Sequence, residues 1–219
     1  MLRLIAPRNA DSDRRNPERT RERLLQAAFN EIYKSGFRGT DLETILRTAG
    51  VTKGAMYHHF RNKEALGYAV VDEIIANIGR EKWSWPLKNA VNPIDTLIAI
   101  IRSTSLKPAH VRCGCALNNL SQEMAPLDEG FRRRTAKLFG DWQSAIASAL
   151  RIGKKRGLVR SGVNPEEMAS FLIATYEGYI GLAKSHRNAA TLQDGEKVMI
   201  KFLESLRTPR RRAAAKRAA

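Results

Sequence analysis

Residues 40–66 read TDLETILRTAGVTKGAMYHHFRNKEAL. The run contains two short helices joined by a tight turn and then the start of a third. Thr40-x-x-Glu43 has the spacing of a capping box, in which the hydroxyl and the carboxylate satisfy each other's orphan backbone N–H groups. Leu42, Ile45 and Leu46 fall on one face of the first helix. Ala49-Gly50-Val51 makes the turn, and Gly50 suits the positive φ that such turns require. Thr52 is placed to cap a second helix that reaches about Phe60. Asn62 is placed to cap a longer one that begins at Lys63 and carries Leu66, Val70 and Ile74.

This arrangement meets the demands of a helix-turn-helix. The first helix packs across the second, so it needs apolar residues on its inner side. The second must present small or polar side chains to base edges, because bulky apolar groups would block the major groove. Thr52, Lys53, Gly54 and Ala55 satisfy that condition. Gly54 costs a helix roughly 1 kcal/mol relative to alanine, which makes sense if backbone and DNA approach closely there. The plainer alternative is a neutral glycine in a short helix.

Upstream, Leu25, Ala28, Phe29 and Ile32 recur at i, i+3, i+4 and i+7, one apolar face of a helix. Gly36 is placed to stop it. The stretch from about Glu18 to Ala76 resembles the N-terminal domain of TetR-family transcriptional repressors. The likeness rests on LLQAAFNEIYKSGFRGT, on Thr40 after the glycines, and on the AGVTKGAMYHHFRNKEAL run. It implies that Thr52, Lys53 and Ala55, with Gly54 between them, face bases. It implies that Tyr57 and His58 contact phosphates or nearby bases, and that Thr40 is a phosphate-contacting cap. Phe60 and Leu66 correspond to core positions. Lys63 corresponds to a phosphate-holding position at the start of the next helix, where a cation and backbone N–H groups act together. Each has a plainer reading: Tyr57 as a packing aromatic, Lys63 as a solvated charge. His58 and His59, side by side, invite a metal reading, but adjacent helical residues point about 100° apart, and no metal site is expected.

Beyond a break marked by Trp83, Trp85 and Pro86, five further helices are expected. One opens at Pro93, and one spans roughly Val111 to Met124. A long one carries Phe131, Leu138, Trp142, Ile146 and Leu150 and is ended by Gly157. Another starts at Pro165, a first-turn proline, and the last carries Met199, Phe202 and Leu203. No convincing period-two segment occurs, so the expected fold is all-α, with about nine helices. The expected organisation is a flexible basic arm (1–17), a helix-turn-helix domain (18–80), a ligand-binding and dimerisation domain (81–207) and a basic disordered tail (208–219). Basic residues of the arm region, including Arg19, Arg21 and Arg23, suit insertion into a minor groove as well as simple solvation.

The resemblance implies that the last two long helices pair across a two-fold axis to form a homodimer. Gly178 and Gly181 permit close helix approach there. Effector-pocket candidates are Ile101, Cys113, Leu117, Leu120, Phe139, Trp142, Tyr176 and Tyr179, an apolar set with a few polar groups that suits a small organic molecule. For any single one of them ordinary core is the plainer reading. Arg112-Cys113-Gly114-Cys115 is the chemically unusual spot. A neighbouring cation favours a reactive thiolate, which leaves a cysteine-based electrophile- or redox-sensing repressor as an alternative; buried cysteines acting as small apolar residues is the plainer reading.

Bulk composition agrees. The chain has 219 residues, is 43% hydrophobic and carries a formal net charge of +16, which favours polyanionic partners such as double-stranded DNA. Its two cysteines, separated by a single residue, fit a reducing cytoplasm better than a disulfide-built secreted domain. No apolar run is long enough for a bilayer, and the start lacks the apolar stretch of a signal peptide. A cytoplasmic location without membrane attachment is therefore expected. Among its four histidines and two cysteines no nucleophile, base and orienter stand at a recognisable spacing; neither an enzyme nor a cofactor is expected. The leading reading is a dimeric repressor released from its operator by a small effector. A nonspecific architectural DNA-binding protein, driven by the basic arms, is the alternative from another class.

Overall fold

The computed structural model describes residues 17–105 and 108–209. Among them all regular structure is helical, apart from an isolated antiparallel bridge between Val159 and Arg207. The fold is all-α, as expected. Most of the basic arm and the tail beyond residue 209 lie outside the described residues. Two compact units emerge. The first holds the described residues up to Asn77 together with 116–136, and the second holds 78–115 and 137–209. The segment 116–136, read from sequence as part of the second domain, thus packs with the first.

In the first unit, α1 (Pro17–Gly39) buries Leu24, Leu25, Ala28 and Ile32. Gly36 leaves helical geometry, at φ 78 and ψ 167, and so ends the regular helix where expected; a further short helical stretch reaches Gly39 across the kink. The cationic Arg19, Arg21 and Arg23 lie on this helix and not on an arm. Next comes α2 (Leu42–Ala49), whose cap is Asp41 and not Thr40: the Asp41 carboxylate accepts the Thr44 N–H at 3.0 Å. That bond holds the Asp41 carboxyl below the usual carboxylate range. The Thr40 hydroxyl is instead engaged with the Gly36 carbonyl, to which it donates at 2.6 Å, and the residue is only 4% exposed. Gly50 closes α2 with φ 61, the left-handed geometry expected of the turn. Thr52 caps α3 (Lys53–His59) by accepting the Ala55 N–H at 3.2 Å. Asn62 likewise accepts the Ala65 N–H at the start of α4.

The helical run α4 covers residues 63–88, with π-helical turns at Val70–Ile75 and Arg80–Ser84. The break expected around Trp83 to Pro86 is absent. Pro86 sits just after the second π turn, in the first turn of the segment Trp85–Lys88, where a missing backbone N–H is tolerated.

The helix expected over Val111 to Met124 is divided by Gly114, whose φ is +79, into α6 (Pro108–Cys113) and α7 (Ala116–Met124). Helix α7 and the first turns of α8 (Glu129–Lys155) complete the first unit. There the Phe131 ring packs on Phe37 at 4.6 Å and on Tyr68 at 4.9 Å. Gly67 makes room for this: a Cβ on it would stand 2.5 Å from the Phe37 ring and 2.7 Å from the Phe131 ring.

The second unit is built from α5 (Pro93–Ser105), α6, the rest of α8, α9 (Pro165–His186) and α10 (Ala189–Ser205). Its core joins Ile94, Leu97, Ile146, Leu150, Ile180 and Leu203, all almost fully buried. Asn164 caps α9 and Pro165 occupies its first turn. Arg207, expected at the edge of the tail, is anchored by Glu204 and by Asp95 at 2.6 Å. These carboxylates raise its already high pKa. No described helix is long and apolar enough to cross a membrane.

Candidate nucleic-acid interface

Helix α3 is held from below by Met56, which is fully buried, and from its end by the buried Phe60. Its outer side presents Thr52, Lys53 and Gly54, all exposed, with Ala55 partly so. Tyr57 and His58, one turn further, are also exposed. A Cβ on Gly54 would meet nothing within 4 Å. Packing inside the chain therefore does not demand glycine here. A strip of small and polar groups on a short capped helix is what a major groove accepts.

Lys63 stands at the start of α4. Its ammonium donates to the Thr40 carbonyl and lies 4.8 Å from the Phe37 ring centroid. An ammonium has three donors, so this anchoring leaves donors for a phosphate. Thr40 itself faces inward, and its buried hydroxyl is spent on Gly36. Arg21 makes a bidentate pair with Glu73 and lies 5.3 Å from the Phe60 ring centroid. The pair is well exposed, the range in which such pairs contribute under about 1 kcal/mol. His59 is held below the usual histidine range, first by burial and then by His58 and Arg21. Among the described residues no cluster of metal-ligating side chains occurs.

The expected pocket residues do not gather in one place. Leu117 and Leu120 lie on α7 in the first unit, because the break at Gly114 hands that helix over. Cys113 ends α6, partly exposed, and neither Cys113 nor Cys115 is joined in a disulfide. Ile101, Tyr176 and Tyr179 do converge, around a cavity of about 20 Å³ also lined by Leu192, Gly195 and Met199; that is space for about one water. Trp142 and Phe139 join an aromatic cluster with Trp83 and Tyr176. Trp83 and Trp142 are 4.7 Å apart, and Tyr176 meets both edge-on. The Lys82 ammonium reaches the Tyr176 hydroxyl and stands 5.0 Å from that ring's centroid. The Trp142 indole N–H is buried without a hydrogen-bond partner among the described residues. A larger concavity, about 420 Å³, lies at the start of α9 among Arg160, Asn164, Glu167, Met168 and Phe171, and holds none of the expected pocket residues.

Sequence reading missed Asp41 as a cap, Lys82 and Trp83 beside the aromatic cluster, and Gly195 against Tyr179. Asp41 was legible: an aspartate directly before a helix competes well with threonine for the cap. The others depend on contacts between distant segments and left no local signal.

Comparison with known proteins fits this geometry. Residues 24–70 match the family model described as "Bacterial regulatory proteins, tetR family", and residues 93–199 match "Tetracyclin repressor-like, C-terminal domain". The chain is 29% identical over 176 residues to the HTH-type transcriptional repressor DhaR of Mycobacterium sp. (strain GP1), covering 78% of this chain and 86% of that one. It is 31% identical over 137 residues to an uncharacterised HTH-type transcriptional regulator in the lacX 3' region of Lactococcus lactis subsp. lactis, covering 62% and 70%. A solved TetR transcriptional regulator from Chloroflexus aurantiacus J-10-FL superposes with a TM-score of 0.79 at 28% identity, over 88% of this chain and 98% of that one. The chain belongs to the TetR family of DNA-binding transcriptional regulators, with an N-terminal helix-turn-helix domain and a C-terminal helical domain.

Proposed function

We propose that this protein is a homodimeric repressor that grips its operator through α3 and Lys63 and lets go when a small organic effector binds the second unit. The observation that carries the reading is the exposed strip from Thr52 to His58, seated on the buried Met56. In this reading Thr52, Lys53, Gly54 and Ala55 read bases, while Tyr57, His58 and Lys63 hold the backbone. Thr40 contributes by fixing Lys63 through its carbonyl. The net charge of +16 adds attraction to any DNA.

The dimer is supported by α9 and α10. Phe171, Leu182 and Val198 are each about half exposed, and the Phe171 and Phe202 rings lie 5.0 Å apart. A Cβ on Gly178 or Gly181 would meet nothing within 4 Å, so these glycines leave an open helix face that suits a second copy. Two-fold proteins match two-fold operators.

The effector reading rests on Tyr176, which both lines the small cavity and closes the aromatic cluster, and on the buried Trp142 N–H. An effector bearing a hydrogen-bond acceptor would satisfy that donor, whose burial unpaired is otherwise costly. It must bind the released conformation better than the DNA-competent one.

The test is selection of duplexes from a random library, then affinities for the selected and a scrambled duplex at several salt concentrations, with light scattering for the oligomeric state. Equal affinities would leave only nonspecific attraction and sink the repressor reading. A monomer at micromolar concentration would remove the dimer.

A further inference from the structure

Helix α1 leaves helical geometry at Gly36, and the two backbone N–H groups that follow turn to one side chain. Glu123, on α7, accepts the Phe37 N–H with Oε2 and the Arg38 N–H with Oε1, each at 2.8 Å. The carboxylate lies so close that a Cβ on Gly36 would stand 2.8 Å from Oε2. Two amides converging on one carboxylate form a charge-assisted pair, stronger than ordinary backbone bonds. The contact spans 86 residues of sequence.

What this carboxylate holds leads straight to the interface. The Gly36 carbonyl accepts the Thr40 hydroxyl, and the Thr40 carbonyl accepts the Lys63 ammonium. The Phe37 ring, whose own N–H is held by Glu123, is the ring beside that ammonium. Asp41, the next residue, caps α2.

We infer that Glu123 is a positioning residue for DNA binding: its carboxylate clamps the bend at Gly36, and the bend places Lys63 and the start of α2. It touches no DNA and acts through Phe37, Thr40 and Lys63. The inference rests on reading α3 and Lys63 as the operator-binding surface.

The test uses the full chain and a duplex that the wild-type protein selects from a random library. Glu123→Gln keeps the shape of the side chain but offers a donor where the second N–H needs an acceptor. We expect it to fold and to lose on the order of 10-fold in affinity for the selected duplex. The magnitude of its salt slope should fall by about one, as when a phosphate contact is withdrawn. Combined with Lys63→Ala, it should lose little more than Lys63→Ala alone, because the two act in series. A merely structural role would lower the melting temperature and leave slope and coupling untouched. Amide exchange adds a direct check, since the Phe37 and Arg38 amides should be protected in the wild type and exposed in the variant. The inference is overturned by wild-type affinity and slope in Glu123→Gln, by losses that multiply independently, by unprotected amides in the wild type, or by a variant that fails to fold. Wild-type protein that binds scrambled duplex equally well, with both amides protected, overturns instead the operator reading beneath it.

Discussion

The ring of Tyr179 lies directly against Gly195: a Cβ built on that glycine would stand 2.4 Å from the ring's Cγ. The contact joins α9 to α10 at the edge of the small cavity that both residues line. Gly195→Ala therefore pits a helix-propensity gain of roughly 1 kcal/mol against forcing an aromatic ring out of place. Overpacking typically costs about 1–3 kcal/mol, so a net loss of stability is expected. Thermal melting reads it, and a higher melting temperature in the variant would show that the ring moves freely.

Gly54 is the opposite case. Nothing in the chain approaches its Cβ position, so Gly54→Ala should leave stability equal or improved by up to about 1 kcal/mol. Affinity for the selected operator should nevertheless fall, because the added methyl meets the groove. Melting and DNA titration on the same sample separate the two effects. Undiminished operator affinity would mean that the backbone does not approach DNA closely there.

Lys63→Ala removes an ammonium anchored by Thr40 and set beside Phe37. Binding should weaken for all sequences alike, and the salt slope should drop in magnitude by about one. Substitutions at Thr52 and Lys53 should instead change which duplex is preferred. A Lys63 variant with altered sequence preference and an unchanged slope would reassign this residue to base reading.

Tyr68 donates to both oxygens of Asp128, at 2.8 and 2.9 Å, and Asp128 also accepts the Phe131 N–H at the start of α8. The Phe131 bond, then the Tyr68 bond, holds the Asp128 carboxyl below the usual carboxylate range, against the opposing effect of burial. A carboxyl with a folded pKa below its unfolded one contributes stability that is complete above the unfolded value. That stability is lost as pH falls through the folded value. Asp128→Asn should therefore be less stable than wild type at neutral pH, and the gap should narrow as pH drops through and below the carboxylate range. A gap constant with pH would show that the loss is one of packing and not of charge.

Much of the first unit was legible locally. Gly50, Thr52 and Asn62 act where they stand in sequence, since a left-handed turn or a cap depends on residues within one helical turn. The exposed strip of α3 followed from the same short-range pattern. Thr40 and Asp41 both have capping chemistry, and the short-range pattern does not separate them; in the fold Asp41 caps α2 while the threonine hydroxyl engages the Gly36 carbonyl. The Trp83 to Pro86 break was misread because the π turn that accommodates Pro86 has no local signature.

The sequence by itself determined an all-α chain, a helix-turn-helix and the small and polar strip that α3 leaves exposed, because caps, turns and amphipathic faces are written in spacings of three and four. Tertiary structure alone decided that 116–136 packs with the first unit, that Glu123 clamps the bend at Gly36, and that Tyr176 rather than Leu117 or Leu120 lines a cavity. Those outcomes depend on where Gly114 breaks one helix into two and on which faces then meet. Contacts between residues 86 apart in sequence leave no periodic trace along the chain.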